Sequence, residues 1–165
     1  FHRELTEAHA YAANPWSWLV LGRPTSFYYQ TPTNCGASSC SQEILAIGTP
    51  MLWWVGVFAI AITFGFFISK PDRISAFVLA GVAGTYLPWF FIQDRTTFYF
   101  YSISILPFLI LSVINLMNWA LNKGLDRRYL YGYLLLVGVN FIYYIFLATP
   151  KHYFISGITE HLGKG

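Results

Sequence analysis

Between Glu43 and Lys70 lie 26 consecutive residues without a charged side chain. A helix needs about 20 residues, at roughly 1.5 Å each, to cross a hydrocarbon core of about 30 Å. In lipid each backbone N–H and C=O must be satisfied within the protein, which favours helices for such runs. Similar stretches follow at regular intervals. The spacing predicts spans at about 50–69, 74–91, 97–121 and 129–149, the last stopped by Pro150-Lys151. They are separated by Lys70-Pro71-Asp72-Arg73, Gln93-Asp94-Arg95 and Lys123-Gly124-Leu125-Asp126-Arg127-Arg128. The expected fold class is an all-α membrane protein. It has four transmembrane helices (50–149), an amino-terminal external or interfacial segment (1–49) and an external tail (150–165). Composition agrees, since only 10% of residues are charged against about 25% in soluble domains. With 33 aromatic residues, the chain is no disordered polymer. A formal charge of +3, dispersed along the chain, excludes a nucleic-acid surface.

Orientation follows from the short loops. The first and third hold Lys70, Arg73, Lys123, Arg127 and Arg128, whereas the middle loop has only Arg95. The first and third are expected on the cytoplasmic side, with both termini outside and the protein multi-pass in the cell membrane. No secretory signal is expected, because the first long apolar run begins only after Glu43. A chain that starts at Phe1 is expected to be a piece of something longer. Trp53, Trp54, Trp89, Phe98, Tyr99 and Tyr101 are placed at the outer edge, and Trp119, Tyr129 and Tyr131 at the inner. They read as an interfacial belt, with a lipid-substrate groove as the alternative. Ala80-Gly81-Val82-Ala83-Gly84 invites close helix packing, and Asn115, Asn118 and Asn140 read as interhelical hydrogen-bonding groups. Pro88 and Pro107 should disturb the second and third spans.

Residues 1–49 differ in kind. Pro15-Trp16-Ser17-Trp18-Leu19-Val20-Leu21-Gly22 is too short to span and suits the headgroup region. Cys35 and Cys40 enclose four residues on the expected outer face, where a local disulfide leads over free thiols. No metal site is expected, because the four histidines lack a zinc-ligand spacing with these cysteines. Glu4 and Glu7 read as a solvated helix face. Arg95 reads as an interfacial anchor paired with Asp94, or as a group that binds an anionic headgroup such as a lipid phosphate.

Several segments, in order, carry a resemblance. His9-Ala10-Tyr11-Ala12-Ala13-Asn14-Pro15-Trp16-Ser17-Trp18-Leu19, Gly22-Arg23-Pro24 and Phe27-Tyr28-Tyr29 come first. Cys35-Gly36-Ala37-Ser38-Ser39-Cys40, Gly48-Thr49-Pro50 and Trp53-Trp54 follow, and then Asp94-Arg95-Thr96-Thr97-Phe98-Tyr99-Phe100-Tyr101 and Leu106-Pro107-Phe108. Together they resemble the carboxy-terminal four-helix region of bacterial polyprenol-phosphate-mannose-dependent protein O-mannosyltransferases, over roughly residues 2–155. Ala10 departs from the family's His-Pro-Tyr.

The resemblance implies transfer of mannose from polyprenyl phosphate mannose to Ser or Thr of exported proteins, at the outer face. The partners it implies are membrane lipid, the remaining helices of the same enzyme and exported acceptor proteins, with no nucleic acid. The family's acidic Asp-Glu motif has no match in this sequence, so no catalytic residue is carried over and this stretch alone is expected to be inactive. Arg95 is expected near the donor phosphate, and His9, Trp16, Arg23 and Tyr99 around the external lip. No bound cofactor is expected on this stretch, and no ligand set in it speaks for or against a divalent metal. The competing class is a non-catalytic four-helix scaffold or accessory subunit of a larger membrane complex. A pore or transporter ranks third, because no span carries an ionisable residue.

Overall fold

The computed structural model describes residues 12–31, 40–92, 96–147 and 154–155. A short helix α1 (Pro15–Trp18) leads to strands β1 (Thr25–Gln30) and β2 (Cys40–Ala46). Helices α2 (Pro50–Ser69), α3 (Arg73–Tyr86), α4 (Leu106–Asn122) and α5 (Arg127–Leu147) follow, then a short strand β3 (Phe154–Ile155). The expectation of an all-α chain is corrected here, because an antiparallel sheet of order β1–β2–β3 precedes and flanks the helices. Its physical basis is local: Thr-Ser-Phe-Tyr-Tyr-Gln holds three aromatic residues and the β-branched Thr25, and is bounded by Pro24 and Pro32. Thr25 pairs with Ala46 and Gln30 with Gln42, and the register shifts between Ser26 and Tyr28.

Three helical stretches are long and apolar enough to cross a membrane: Pro50–Ser69, Arg73–Phe91 and Tyr99–Asn122. The chain is a multi-pass membrane protein. The fourth helix, α5, is 21 residues long but is more polar, with five tyrosines, Asn140 and two arginines in its sequence. Proline shapes the other two boundaries. α3 tightens into a 3₁₀ turn over Leu87–Phe91, where Pro88 has no N–H to give. A 3₁₀ segment, Tyr99–Ile105, gives way to α4, which has Pro107 in its first turn.

Helices α2 and α4 are the main packed pair. A Cβ on Gly56 would come 2.8 Å from Leu109 Cβ, and ten residues further along both helices Phe66 and Trp119 stand 5.0 Å apart, ring to ring. Contacts that advance together in this way mean parallel helices. α3 runs back beside this pair, and its Gly81 meets the ring of Phe108, leaving no room for a Cβ. Small residues thus let backbones approach where no hydrophobic force drives helices together. α5 rests chiefly on α2.

The helix ends are satisfied by identifiable groups. The Asp72 carboxylate accepts from the N–H groups of Ile74 and Ser75, each at 2.9 Å, and so caps α3. The Ser75 side chain, then the Ser75 and Ile74 N–H groups, hold the Asp72 pKa below its ordinary value. α2 begins with Pro50, and the next free N–H, that of Met51, donates to Asn140 Oδ1 on α5 at 3.3 Å. Asn140 therefore does make the interhelical bond expected of it. At the end of α4, Gly124 adopts φ +97°. Its N–H donates to Leu121 O and the Leu125 N–H to Ala120 O, each at 3.0 Å, the pattern of a Schellman cap.

Gly81→Ala should lower folding stability by about 1–3 kcal/mol, the usual range for overpacking. Gly84→Ala, which meets nothing within 4 Å, should leave thermal unfolding in detergent close to wild type. Equal effects would contradict the α3–α4 contact. Asp72→Ala should cost about 1 kcal/mol. Because the folded-state pKa is the lower one, the cap is fully stabilising once the unfolded-state carboxyl is ionised. Its contribution fades as pH falls through the folded-state value, so unfolding curves of wild type and variant should converge in acid.

Candidate functional site

One end of the helices is closed by the segment that contains α1. Asn14 starts that helix, its Oδ1 accepting the Trp16 N–H at 3.1 Å, with Pro15 at the first turn. Side chains two positions apart on a helix point about 200° apart. Trp18 accordingly turns inward and is fully buried, while Trp16 is 67% exposed. Trp18 packs against Trp89 at 5.6 Å and Tyr86 at 6.2 Å between ring centroids. Trp16 sets its exposed ring edge-on to Phe90 at 4.5 Å.

Side chains from the helices take up the backbone of this cap. Ala13 O accepts both Thr97 Oγ1 (2.8 Å) and Trp18 Nε1 (3.3 Å), and the Ala13 N–H donates to Thr97 O at 2.8 Å. Tyr86 OH donates to Pro15 O at 3.0 Å, and Trp53 Nε1 to Trp18 O at 3.0 Å. An antiparallel bridge joins Ala12 to Phe98. Two sequence segments more than eighty residues apart, around 12–18 and 96–101, therefore form one structure.

The chain leaves α1 through a strained turn. Leu21 (φ 58°) and Arg23 (φ 54°) both adopt left-handed backbone conformations, each costing about 1–2 kcal/mol for a residue with a Cβ. Leu21 is held there because its side chain is buried in the core. Gly22 sits against Ser17, where a Cβ would come 3.1 Å from Ser17 Cβ. The Arg23 side chain is exposed.

The residues singled out by sequence separate as follows. Trp16 and Arg23 lie on or beside the cap. Tyr99 is 3% exposed, with its hydroxyl accepting the Gly48 N–H at 3.1 Å and its ring 6.1 Å from Trp53. Tyr99 and Trp53 are thus not lipid-facing belt residues; their polar atoms are needed to satisfy the cap and the turn before α2. Trp54 and Trp119 do remain exposed. Cys40 opens β2, whereas His9, Cys35 and Arg95 lie outside the described residues. Sequence reasoning passed over Ala13, Gly48, Tyr86 and Thr97. Of these, Ala13, Gly48 and Thr97 stand inside the quoted motifs, and only Tyr86 lies outside them.

Two clefts adjoin the cap. One, of about 260 Å³, is lined by Gly48, Thr49, Leu52, Tyr99, Ile103 and Leu106 among others. The second, about 330 Å³, runs between α2 and α3 along Val57, Ile60, Phe64, Leu79 and Val82. Both are apolar, suited to hydrocarbon rather than to proton transfer. Among the described residues no group of three or more His, Cys, Asp or Glu stands together.

The class defined so far is a membrane-embedded helical unit with a tightly bonded aromatic cap at one end. The family described as the "C-terminal four TMM region of protein-O-mannosyltransferase" matches residues 1–75. A polyprenol-phosphate-mannose–protein mannosyltransferase of Mycobacterium tuberculosis is 31% identical over 137 residues, covering 78% of this chain and 26% of the relative. That of Corynebacterium glutamicum is 33% identical over 116 residues, covering 67% and 22%. That of Mycolicibacterium smegmatis is 31% identical over 137 residues, covering 78% and 27%. No solved structure matches the chain. The chain is similar to the carboxy-terminal membrane region of the protein O-mannosyltransferase family. It spans about a quarter of the length of the curated relatives it matches.

Trp18→Ala should cost about 3–5 kcal/mol, as for other buried aromatics. Trp16→Ala, which loses only an exposed ring contact, should cost about 1 kcal/mol or less. Thermal unfolding of the two variants in one detergent checks the contrast, and equal losses would contradict the inward placement of Trp18.

Proposed function

We propose that this chain is the carboxy-terminal membrane part of an enzyme that moves mannose from polyprenyl phosphate mannose to Ser or Thr hydroxyls of exported proteins. The capped end faces the outside, and α5 is the fourth span. The observation that carries the proposal is the bonding of the 12–18 segment to the 96–101 segment. Both belong to the stretches that resemble the family, and both sit at one end of the helices. The opposite end holds Lys70, Arg73, Lys123, Arg127 and Arg128, which suits the cytoplasmic side.

In the reaction the acceptor hydroxyl oxygen forms a bond to the sugar's anomeric carbon while the bond from that carbon to the phosphate oxygen breaks. Polyprenyl phosphate leaves with the electron pair, and the hydroxyl proton passes to a base that this reading places on the rest of the enzyme. Arg95 is assigned to the donor phosphate, where a guanidinium stabilises the charge that grows on the leaving oxygen. His9, Trp16 and Arg23 shape the lip, and Tyr99 supports it from beneath through Gly48. The apolar clefts offer room for the donor's hydrocarbon.

The test is mannose transfer from polyprenyl phosphate mannose to a Thr-containing peptide, using the intact native polypeptide in detergent. Loss of a charge-assisted hydrogen bond of about 1.5–3 kcal/mol predicts that Arg95→Ala lowers kcat/KM about ten- to a hundredfold. Unchanged transfer by that variant would contradict the role of Arg95. No transfer by the wild type would contradict the enzyme assignment.

A further inference from the structure

The sheet beside the cap ends in a strand that pairs on one side only. β1 is the outer strand in the order β1–β2–β3, and its six residues reach about 20 Å at roughly 3.3 Å each. A strand edge is a ready template for another chain, and proteins that must avoid pairing guard such edges with charge, proline or bulges. β1 has neither charge nor proline in Thr-Ser-Phe-Tyr-Tyr-Gln. Its one irregularity is the register shift at Phe27. There Ser26 Oγ donates to Tyr28 O at 3.2 Å, using one of that carbonyl's two lone pairs.

The side chains along this edge are open as well. Phe27 is 64% and Tyr29 58% exposed. Phe27 leans on Phe100, 5.8 Å between ring centroids, and Phe100 also lines the cleft of about 260 Å³. The edge is therefore continuous with the proposed site rather than remote from it. A row of backbone donors and acceptors is matched by another extended backbone; a hydrocarbon chain has nothing to offer it.

We infer that β1 takes up an extended, hydroxyl-bearing polypeptide segment as an added strand, presenting it to the proposed site. This rests on the reading of the chain as part of an enzyme that modifies Ser and Thr, and it names how the acceptor is held. Main-chain bonds hold segments of varied sequence, and the exposed aromatic rings select alternate side chains. The two-residue period of a strand turns every second hydroxyl to the same side.

The experiment uses the intact native polypeptide in detergent and a fluorescent, uncharged, Thr- and Val-rich peptide. Two further peptides are N-methylated at alternate amides, one on the odd positions and one on the even. Fluorescence anisotropy without donor should show one methylated set weakened about tenfold or more and the other within about twofold, since each lost main-chain bond is worth about 1 kcal/mol. Tyr29→Lys should weaken the parent peptide about tenfold, as an edge lysine opposes pairing, with thermal unfolding unchanged. No binding of the parent, equal behaviour of the two methylated sets, or full binding by Tyr29→Lys would each overturn the inference. Mannose transfer is scored separately. Transfer without alternation removes the role of β1 and leaves the enzyme assignment intact, while alternation without transfer keeps the β1 site and removes the assignment.

Discussion

The structure depends on how a short piece of irregular backbone is satisfied at the end of a set of apolar helices. Near hydrocarbon an unpaired carbonyl or N–H costs several kcal/mol. The carbonyls of Ala13, Pro15 and Trp18 are each taken by a side chain from elsewhere in the fold: Thr97, Tyr86 and Trp53. These donors come from α2, α3 and the approach to the 3₁₀ segment before α4, so the cap fixes the relative positions of the helix ends. Trp18 adds its packing to the same point. Helix contacts deeper down, at Gly56 and Gly81, need no polar bonds because the helices satisfy their own backbones.

The same constraint explains where regular helix gives way. α3 tightens at Pro88, and α4 is preceded by seven residues of 3₁₀ backbone. Both departures occur at the capped end, where Trp89 Nε1 donates to the Thr85 carbonyl at 3.0 Å. At the other end the turns close on their own resources, an Asp72 cap and a Gly124 turn. One end of the molecule is thus built from local signals, and the other from contacts between distant segments.

That difference also sets what could be read in advance. The charge-free run behind Glu43 forms a helix from Pro50 to Ser69, and two further stretches are apolar and long enough to cross a membrane. Asn140 and the small residues at Gly81 act between helices. The hairpin was not legible, because Phe27-Tyr28-Tyr29 reads equally as an interfacial aromatic run. The inward turn of Trp18, Trp53 and Tyr99 was hidden for another reason: a tryptophan near a helix end suits a lipid boundary or a buried hydrogen bond, and only the partner decides. The motif segments themselves were visible, and the bond between Thr97 and Ala13 that joins them was not.

A capped, aromatic end and a basic opposite end are what the proposed outward orientation of the cap rests on. The most direct measurement is labelling of single cysteines in intact cells with a membrane-impermeant maleimide, in a background where Cys35 and Cys40 are replaced. Trp16→Cys, on the cap, should be labelled from outside, whereas Lys123→Cys should react only after the cells are permeabilised. The reverse pattern would place the cap in the cytoplasm and contradict the account.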